Sequence, residues 1–294
     1  MSSSIAAAAA FTAQASNRIA LVTGANKGIG FYIALQLAMS GLFSHIILGC
    51  RDATRGQTAV SDIVSQLKTL PSPTPSVSYL PLTLGNKESH ANLKQSLEQS
   101  FGKVDVLVNN AAIAFKNADP TPHEEQCKPT LDVNFRGTVD LTNELLPLLR
   151  RGSDARIVNV ASMSGYLSQL PSRELRSKFA SEGITMSKLH NLVDQYEQHV
   201  EQGTYIKNGW GRSNYGMSKL AVIVATRIWA KEEAANGISV NCCCPGYCDT
   251  DMTSHRGSRP PEEGAKNAVM LATMENIFTG QYFANYEVND WLET

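Results

Sequence analysis

From Arg18 onward the chain alternates short apolar runs with longer segments of helical character, and this rhythm restricts its fold more than any other feature. The runs are Ile19 to Val22, His45 to Leu48, Ser76 to Leu80, Val104 to Val108, Ala155 to Val160 and Ile238 to Cys243, most of them rich in Val and Ile. Such runs belong to strands covered on both faces, and their alternation with helices gives parallel strands joined by crossover helices. The sequence therefore predicts an α/β fold built on a doubly wound parallel sheet. Chain breakers fall between the runs: Gly41 ends the first helix, Pro71 to Pro75 precedes the third strand and Gly152 the fifth. No internal repeat is present, and a single domain over 18–294 is the simplest organisation. The segment of about 168–209 breaks the rhythm, because it is polar and charged where the alternation predicts an immediate helix. It reads as an inserted, partly helical excursion.

Composition narrows what such a domain would bind. With 43% hydrophobic residues in 294 the chain can bury a sizeable core, and a formal net charge of -1 supplies no basic field for nucleic acid or an anionic membrane. No apolar run reaches the roughly 18 residues of a membrane-spanning helix. A small molecule is the expected partner. The six cysteines, Cys50, Cys127, Cys242, Cys243, Cys244 and Cys248, lack paired zinc-ligand spacing and read as reduced thiols of a cytoplasmic protein with no metal site. The first seventeen residues carry no acidic or basic side chain. A signal peptide would need a basic start and a transit peptide arginines, so a disordered tail is the expectation for 1–17.

Directly after the first run comes Thr23-Gly24-Ala25-Asn26-Lys27-Gly28-Ile29-Gly30, followed by a helix-like stretch. A glycine-rich turn feeding a helix N-terminus offers unpaired N–H groups and a positive dipole end to a pyrophosphate. Its glycine spacing is one residue wider than G-x-G-x-x-G, and it is not a P-loop, so taken alone an ordinary strand-to-helix turn remains the alternative. Arg51 lies just past the second strand, where a dinucleotide-binding fold meets the adenosine ribose. An arginine there accommodates a 2′-phosphate, and Lys27 is a second cation for the same group. Asp52 is the competing candidate, as a ligand of a ribose hydroxyl.

Tyr215 and Lys219 open a further helical segment as an i, i+4 pair on one face. A tyrosine hydroxyl titrates near about 10, and a neighbouring ammonium stabilises its phenolate. Such a tyrosine can protonate a carbonyl oxygen as hydride reaches the carbon. Asn109-Asn110-Ala111-Ala112 after the fourth strand, Asn134 in a helix and Ser162 after the fifth strand fall at or near strand carboxyl ends, where open α/β sheets bind ligands.

Together these residues resemble the short-chain dehydrogenase/reductase family, over nearly everything from Arg18 to the C-terminus. Thr23 to Gly30, Cys50-Arg51-Asp52, Ala114-Phe115-Lys116, Ala118 to Pro122 and Pro245-Gly246-Tyr247 are similar to the monomeric carbonyl reductases within it. The resemblance implies a Rossmann-type domain that reduces aldehydes, ketones or quinones with NADPH (NADP+ as product). It implies a tetrad in which Tyr215 donates the proton, Ser162 hydrogen-bonds the substrate carbonyl, Lys219 binds the nicotinamide ribose, and Asn134 holds a water in a proton relay. Cofactor contacts are implied for Gly24, Asn26, Lys27, Gly28, Ile29, Gly30, Arg51, Leu82, Thr83, Asn110, Ala111, Tyr215, Lys219, Pro245, Gly246, Cys248 and Thr250. Substrate contacts are implied for Ser162, Tyr215 and Tyr247. It further implies a monomer, in which the excursion covers the helix face that tetrameric relatives use for assembly. Three positions depart from the family pattern: Thr83 stands in place of an aspartate facing the adenine, Ala112 in place of glycine, and Tyr247 in place of tryptophan. Two other readings stay open, a specialised ketone reductase or alcohol dehydrogenase for one metabolite, and a non-catalytic NADPH-binding protein.

Overall fold

The computed structural model describes residues 17–69, 74–116, 118–275 and 278–292. Its strands are β1 (Ile19–Thr23), β2 (His45–Cys50), β3 (Ser76–Pro81), β4 (Val106–Asn109), β5 (Arg156–Val160), β6 (Ser239–Cys244), β7 (Tyr282–Ala284) and β8 (Glu287–Val288). They form one sheet in the order β3-β2-β1-β4-β5-β6-β7-β8, parallel throughout except for β8, which runs antiparallel to β7. The helices are α1 (Gly28–Met39), α2 (Ala53–Leu67), α3 (Lys87–Phe101), α4 (His123–Leu131), α5 (Gly137–Leu149), α6 (Arg173–Ala180), α7 (Met186–Glu201), α8 (Asn214–Glu232) and α9 (Pro261–Thr273).

Strand order reverses at β1, where Ala20 pairs with Ile46 of β2 on one side and with Val106 of β4 on the other. The connections from β1 and β4 depart in opposite directions there, which opens a crevice beyond the strand carboxyl ends. The two faces of the sheet bury separate cores. Leu21, Ile47, Leu107, Ile157 and Val240 face the side covered by α3, α5 and α8. Ala20, Val22, Ile46, Leu48, Val106 and Val158 face α1, α2 and α9. Each fully buried aliphatic side chain stabilises by about 1.5–3 kcal/mol, which explains why the central strands are mostly apolar. A polar ladder crosses the first core without leaving a group unpaired: Asn109 donates to Thr142 (3.0 Å) and Asn159 (2.8 Å), and Asn159 donates to Thr226 (2.8 Å).

The excursion carries α6 and α7. Its apolar positions Leu175, Phe179, Leu189, Val193, Tyr196 and Trp210 join the first core, and α7 packs against α4 and α8. Arg136 fastens α7 from outside, donating to Asp194 at 2.5 Å and to Glu197 at 2.6 Å. Further along, the backbone N–H of Leu167 donates to the carbonyl of Trp291 at 3.0 Å, and the Arg227 guanidinium lies 5.3 Å from the Trp291 ring.

All six expected strands are present, with bounds shifted by one or two residues. The sheet also has β7 and β8, which no apolar run of useful length announces. Of the Pro71 to Pro75 breaker, residues 71–73 lie outside the described residues, as does the expected tail, Asn17 excepted.

Candidate active site

The turn after β1 is built so that backbone meets backbone. Gly24 (φ 65°) and Gly28 (φ 57°) lie in the left-handed region, and a Cβ on Gly24 would stand 2.9 Å from the Cα of Ala111. A Cβ on Gly30 would stand 2.4 Å from Asn110 Nδ2 and 2.5 Å from the Gly24 carbonyl. Asn110 stitches the turn to the end of β4, its side chain donating to the Thr23 carbonyl at 2.9 Å, while the N–H groups of Asn110 and Ala111 both donate to Thr23 Oγ1 at 3.0 Å. Among the described residues no side chain caps the start of α1, which leaves its first-turn N–H groups for an anion. A cleft of about 870 Å³ runs from this turn to Tyr215 and Lys219.

Lys219 is 3% exposed, with Nζ donating to the Val160 carbonyl at 2.7 Å and standing 5.5 Å from the centre of the Tyr215 ring. Burial pushes its ammonium down to about 8, because the charged form loses water without gaining a carboxylate. One helical turn earlier lies Tyr215, whose hydroxyl is close enough to Ser162 for that residue to favour its ionised form. Burial holds this phenol above its ordinary value, the Cys244 thiol adds to that, and Ser162 opposes it. Burial thus governs this phenol where the i, i+4 spacing predicts a lowering by Lys219, and the phenol stays protonated. Ser162 itself is oriented by the backbone N–H of Ser164, 3.1 Å from its Oγ.

Asn134 lies in a π-helical turn, Asp132–Arg136, inserted between α4 and α5. Such turns often re-aim a side chain at functional sites. Its Oδ1 accepts from Ile113 N–H at 2.8 Å, and its Nδ2 donates to the Ile113 carbonyl (2.9 Å) and Ser218 Oγ (3.1 Å). Ser218 in turn donates to the Tyr215 carbonyl at 2.7 Å. Asn134 thus ties the segment after β4 to the start of α8.

The cleft brings together Gly24, Asn26, Lys27, Gly28, Ile29, Gly30, Asn110, Ala111, Tyr215, Lys219, Pro245 and Thr250. Arg51, Leu82, Thr83, Asn134, Ser162, Gly246, Tyr247 and Cys248 stand outside its lining. Arg51 is exposed immediately after β2. Asp52 caps α2, accepting from Arg55 N–H at 2.9 Å, so its carboxylate is engaged in local structure. Leu82 is buried against Gly49, and the N–H of Thr83 donates to Ser89 Oγ at 2.9 Å. Cys248 turns its thiol to the Pro245 carbonyl, and Tyr247 is 52% exposed. Gly246 (φ 81°) lies against the Arg259 guanidinium, which donates to the Pro245 carbonyl at 3.1 Å and to Asn285 at 2.7 Å.

Sequence reasoning missed Tyr32, Lys116, Asp249, Asp251 and His255, which line the same cleft. Lys27 does not stand alone: its Nζ donates to Asp251 at 2.5 Å. His255 bridges Asp249 (2.8 Å) and Asp251 (3.1 Å), and these two carboxylates raise its pKa. The contact of Lys27 with Asp251 spans 224 residues, so no local spacing announces it.

The glycine cradle, the uncapped helix start and the buried lysine fit a dinucleotide whose pyrophosphate lies over α1 and whose far end reaches Tyr215. The chain is 40% identical over 282 residues to carbonyl reductase (NADPH) 1 of Homo sapiens, covering 93% of this chain and 98% of that one. Its structure is similar to salutaridine reductase from Papaver somniferum (TM-score 0.82, 27% identity, 91% of this chain and 99% of that one). It is also similar to menthone neomenthol reductase from Mentha piperita (TM-score 0.77, 28% identity, 92% and 100%). The short chain dehydrogenase family profile matches residues 18–197 and 204–260, and with this match and these relatives the chain belongs to that family.

Proposed function

We propose that this chain reduces carbonyl compounds at the expense of NADPH, aldehydes and ketones to alcohols and quinones to hydroquinones. The observation that carries the reading is the shared cleft, with a phosphate cradle at one end and the Tyr215–Lys219 pair, backed by Ser162, at the other. NADPH, when bound, supplies the hydride that reaches the carbonyl carbon. Gly24, Gly28, Gly30 and the start of α1 would hold its pyrophosphate, Arg51 and Lys27 its 2′-phosphate, and Lys219 its nicotinamide ribose. Ser162 donates a hydrogen bond to the substrate oxygen and keeps it beside Tyr215. The Tyr215 hydroxyl gives its proton to that oxygen as negative charge grows there. Lys219, one turn away, stabilises the phenolate left behind, and Asn134 holds the water through which a proton returns.

The assay is loss of reduced-nicotinamide absorbance with a panel of aldehydes, ketones and quinones, run on wild type and Tyr215→Phe. Wild type should turn over and Tyr215→Phe should not, while both bind NADPH. Activity of the variant within a few-fold of wild type sinks the assignment, and binding without turnover in wild type makes this a non-catalytic NADPH-binding protein. The likeness to two plant reductases named for single metabolites favours a second reading, a specialised ketone reductase. A panel in which one substrate exceeds all others in kcat/KM by orders of magnitude would select it. We further propose a monomeric, cytoplasmic protein: α7 occupies the outer side of α4 and α8, and all six cysteines are unpaired, buried thiols.

A further inference from the structure

Lys27 and Asp251 are separated by 224 residues, yet they meet as an ion pair at 2.5 Å on the edge of the cleft, their side chains 55% and 57% exposed. Lys27 precedes α1 in the glycine turn, and Asp251 opens the short turn Asp251–Thr253 after β6. The second oxygen of Asp251 is held by His255 Nε2 at 3.1 Å, and His255 Nδ1 is held by Asp249 at 2.8 Å. The turn is braced as well: Thr250 and Thr253 exchange side-chain to backbone hydrogen bonds across it, and Ser254 (φ 53°) and His255 (φ 57°) take the left-handed backbone that non-glycine residues adopt uncommonly. Asp251 is thus aimed at Lys27 by its surroundings, and the Lys27 ammonium keeps its carboxyl below the ordinary carboxylate range, so it is ionised at working pH.

We propose that Asp251 is an internal competitor of the cofactor, its carboxylate sitting on the ammonium that the 2′-phosphate of NADPH takes. The inference rests on the reading of Lys27 as a phosphate cation given above. Binding NADPH works against the pair, because the 2′-phosphate brought to the same ammonium is repelled by the Asp251 carboxylate already held there. NADH has no 2′-phosphate and leaves the pair in place. Asp251 therefore lowers the preference for the phosphorylated dinucleotide that Lys27 and Arg51 create, and it is a specificity-determining residue that never needs to touch substrate.

The test is fluorescence titration of NADPH and NADH into wild type, D251N, K27A and the double variant at fixed low ionic strength. D251N should bind NADPH about two- to fivefold more tightly, the range set by exposed ion pairs, with NADH affinity unchanged. The gain should vanish in the K27A background and shrink as salt is raised. An unchanged or weakened NADPH affinity in D251N, equal tightening of both dinucleotides, or a full gain in the absence of Lys27 overturns the proposal. Those failures are distinct from failure of the functional reading, in which wild type itself would not bind NADPH, overturning both.

Discussion

Replacing Gly30 by alanine decides whether the phosphate cradle is held by packing or merely by helix propensity. Gly30 lies in the first turn of α1, where alanine is ordinarily the better residue by about 0.5–1 kcal/mol. Here its Cβ would stand 2.4 Å from Asn110 Nδ2 and 2.5 Å from the Gly24 carbonyl, distances that force something to move. Neither neighbour is a loose chain end, since Asn110 is bonded to the Thr23 carbonyl and Gly24 is pinned against Ala111. Overpacking costs about 1–3 kcal/mol, and loss of the Asn110 hydrogen bond adds about 1 kcal/mol. After the propensity gain is subtracted, Gly30→Ala should destabilise by about 1–3 kcal/mol and weaken NADPH binding, because the displaced groups form the floor of the cradle. Urea unfolding and NADPH titration measure the two effects. Gly183→Ala is the matched control: its Cβ would meet only Ser181 Oγ at 3.9 Å, so stability should stay within about 0.5 kcal/mol of wild type or rise. A Gly30→Ala protein as stable as wild type with unaltered NADPH affinity would refute the argument.

Arg51→Ala should weaken NADPH about tenfold or more while leaving NADH nearly unchanged, since charge-assisted hydrogen bonds to a 2′-phosphate are among the stronger polar contacts; an unaltered ratio in paired titrations would remove Arg51 from the site. Lys219 titrates near about 8 when folded against its ordinary 10.5, so between those values the unfolded chain binds more protons at this position and its contribution to stability rises with pH. The stability difference between wild type and Lys219→Met should therefore move in favour of wild type by up to about 1.4 kcal/mol per pH unit across that window, and a flat difference in unfolding experiments would show the amine is not buried as described. Light scattering at micromolar concentration should give the mass of a single 31.9 kDa chain. A tetrameric mass would mean that α7 leaves an assembly face open.

What could be read from the sequence was what short-range pattern encodes. β1, β2, β4, β5 and β6 are buried on both faces, and a strand so placed is mostly apolar, which is visible without any partner. The glycine turn was legible for a similar reason, because the close approach of Gly24 to Ala111 and of Gly30 to Asn110 leaves only one residue type possible. β7 was not legible: three residues cannot establish a period, and Tyr282–Ala284 acquires its strand identity only by lying beside β6. The chemistry of Tyr215 and Lys219 was read from i, i+4 spacing, but the balance between their charges was not. Spacing says nothing of how much water the fold removes, and desolvation is the larger effect on both. The partners of Lys27 and Asp52 were equally out of reach. One is a carboxylate at the far end of the domain, and the other is a cap whose geometry exists only once α2 has formed.

The hydrogen bond from Leu167 to Trp291 joins two segments 124 residues apart. Leu167 follows the loop that carries Ser162, and the group it needs is made more than a hundred residues later. Without Trp291 this loop has no carbonyl to receive its N–H, and Arg227 has no indole to cover. The loop that carries Ser162 and the segment around Trp291 are therefore coupled, and loosening either one loosens the other.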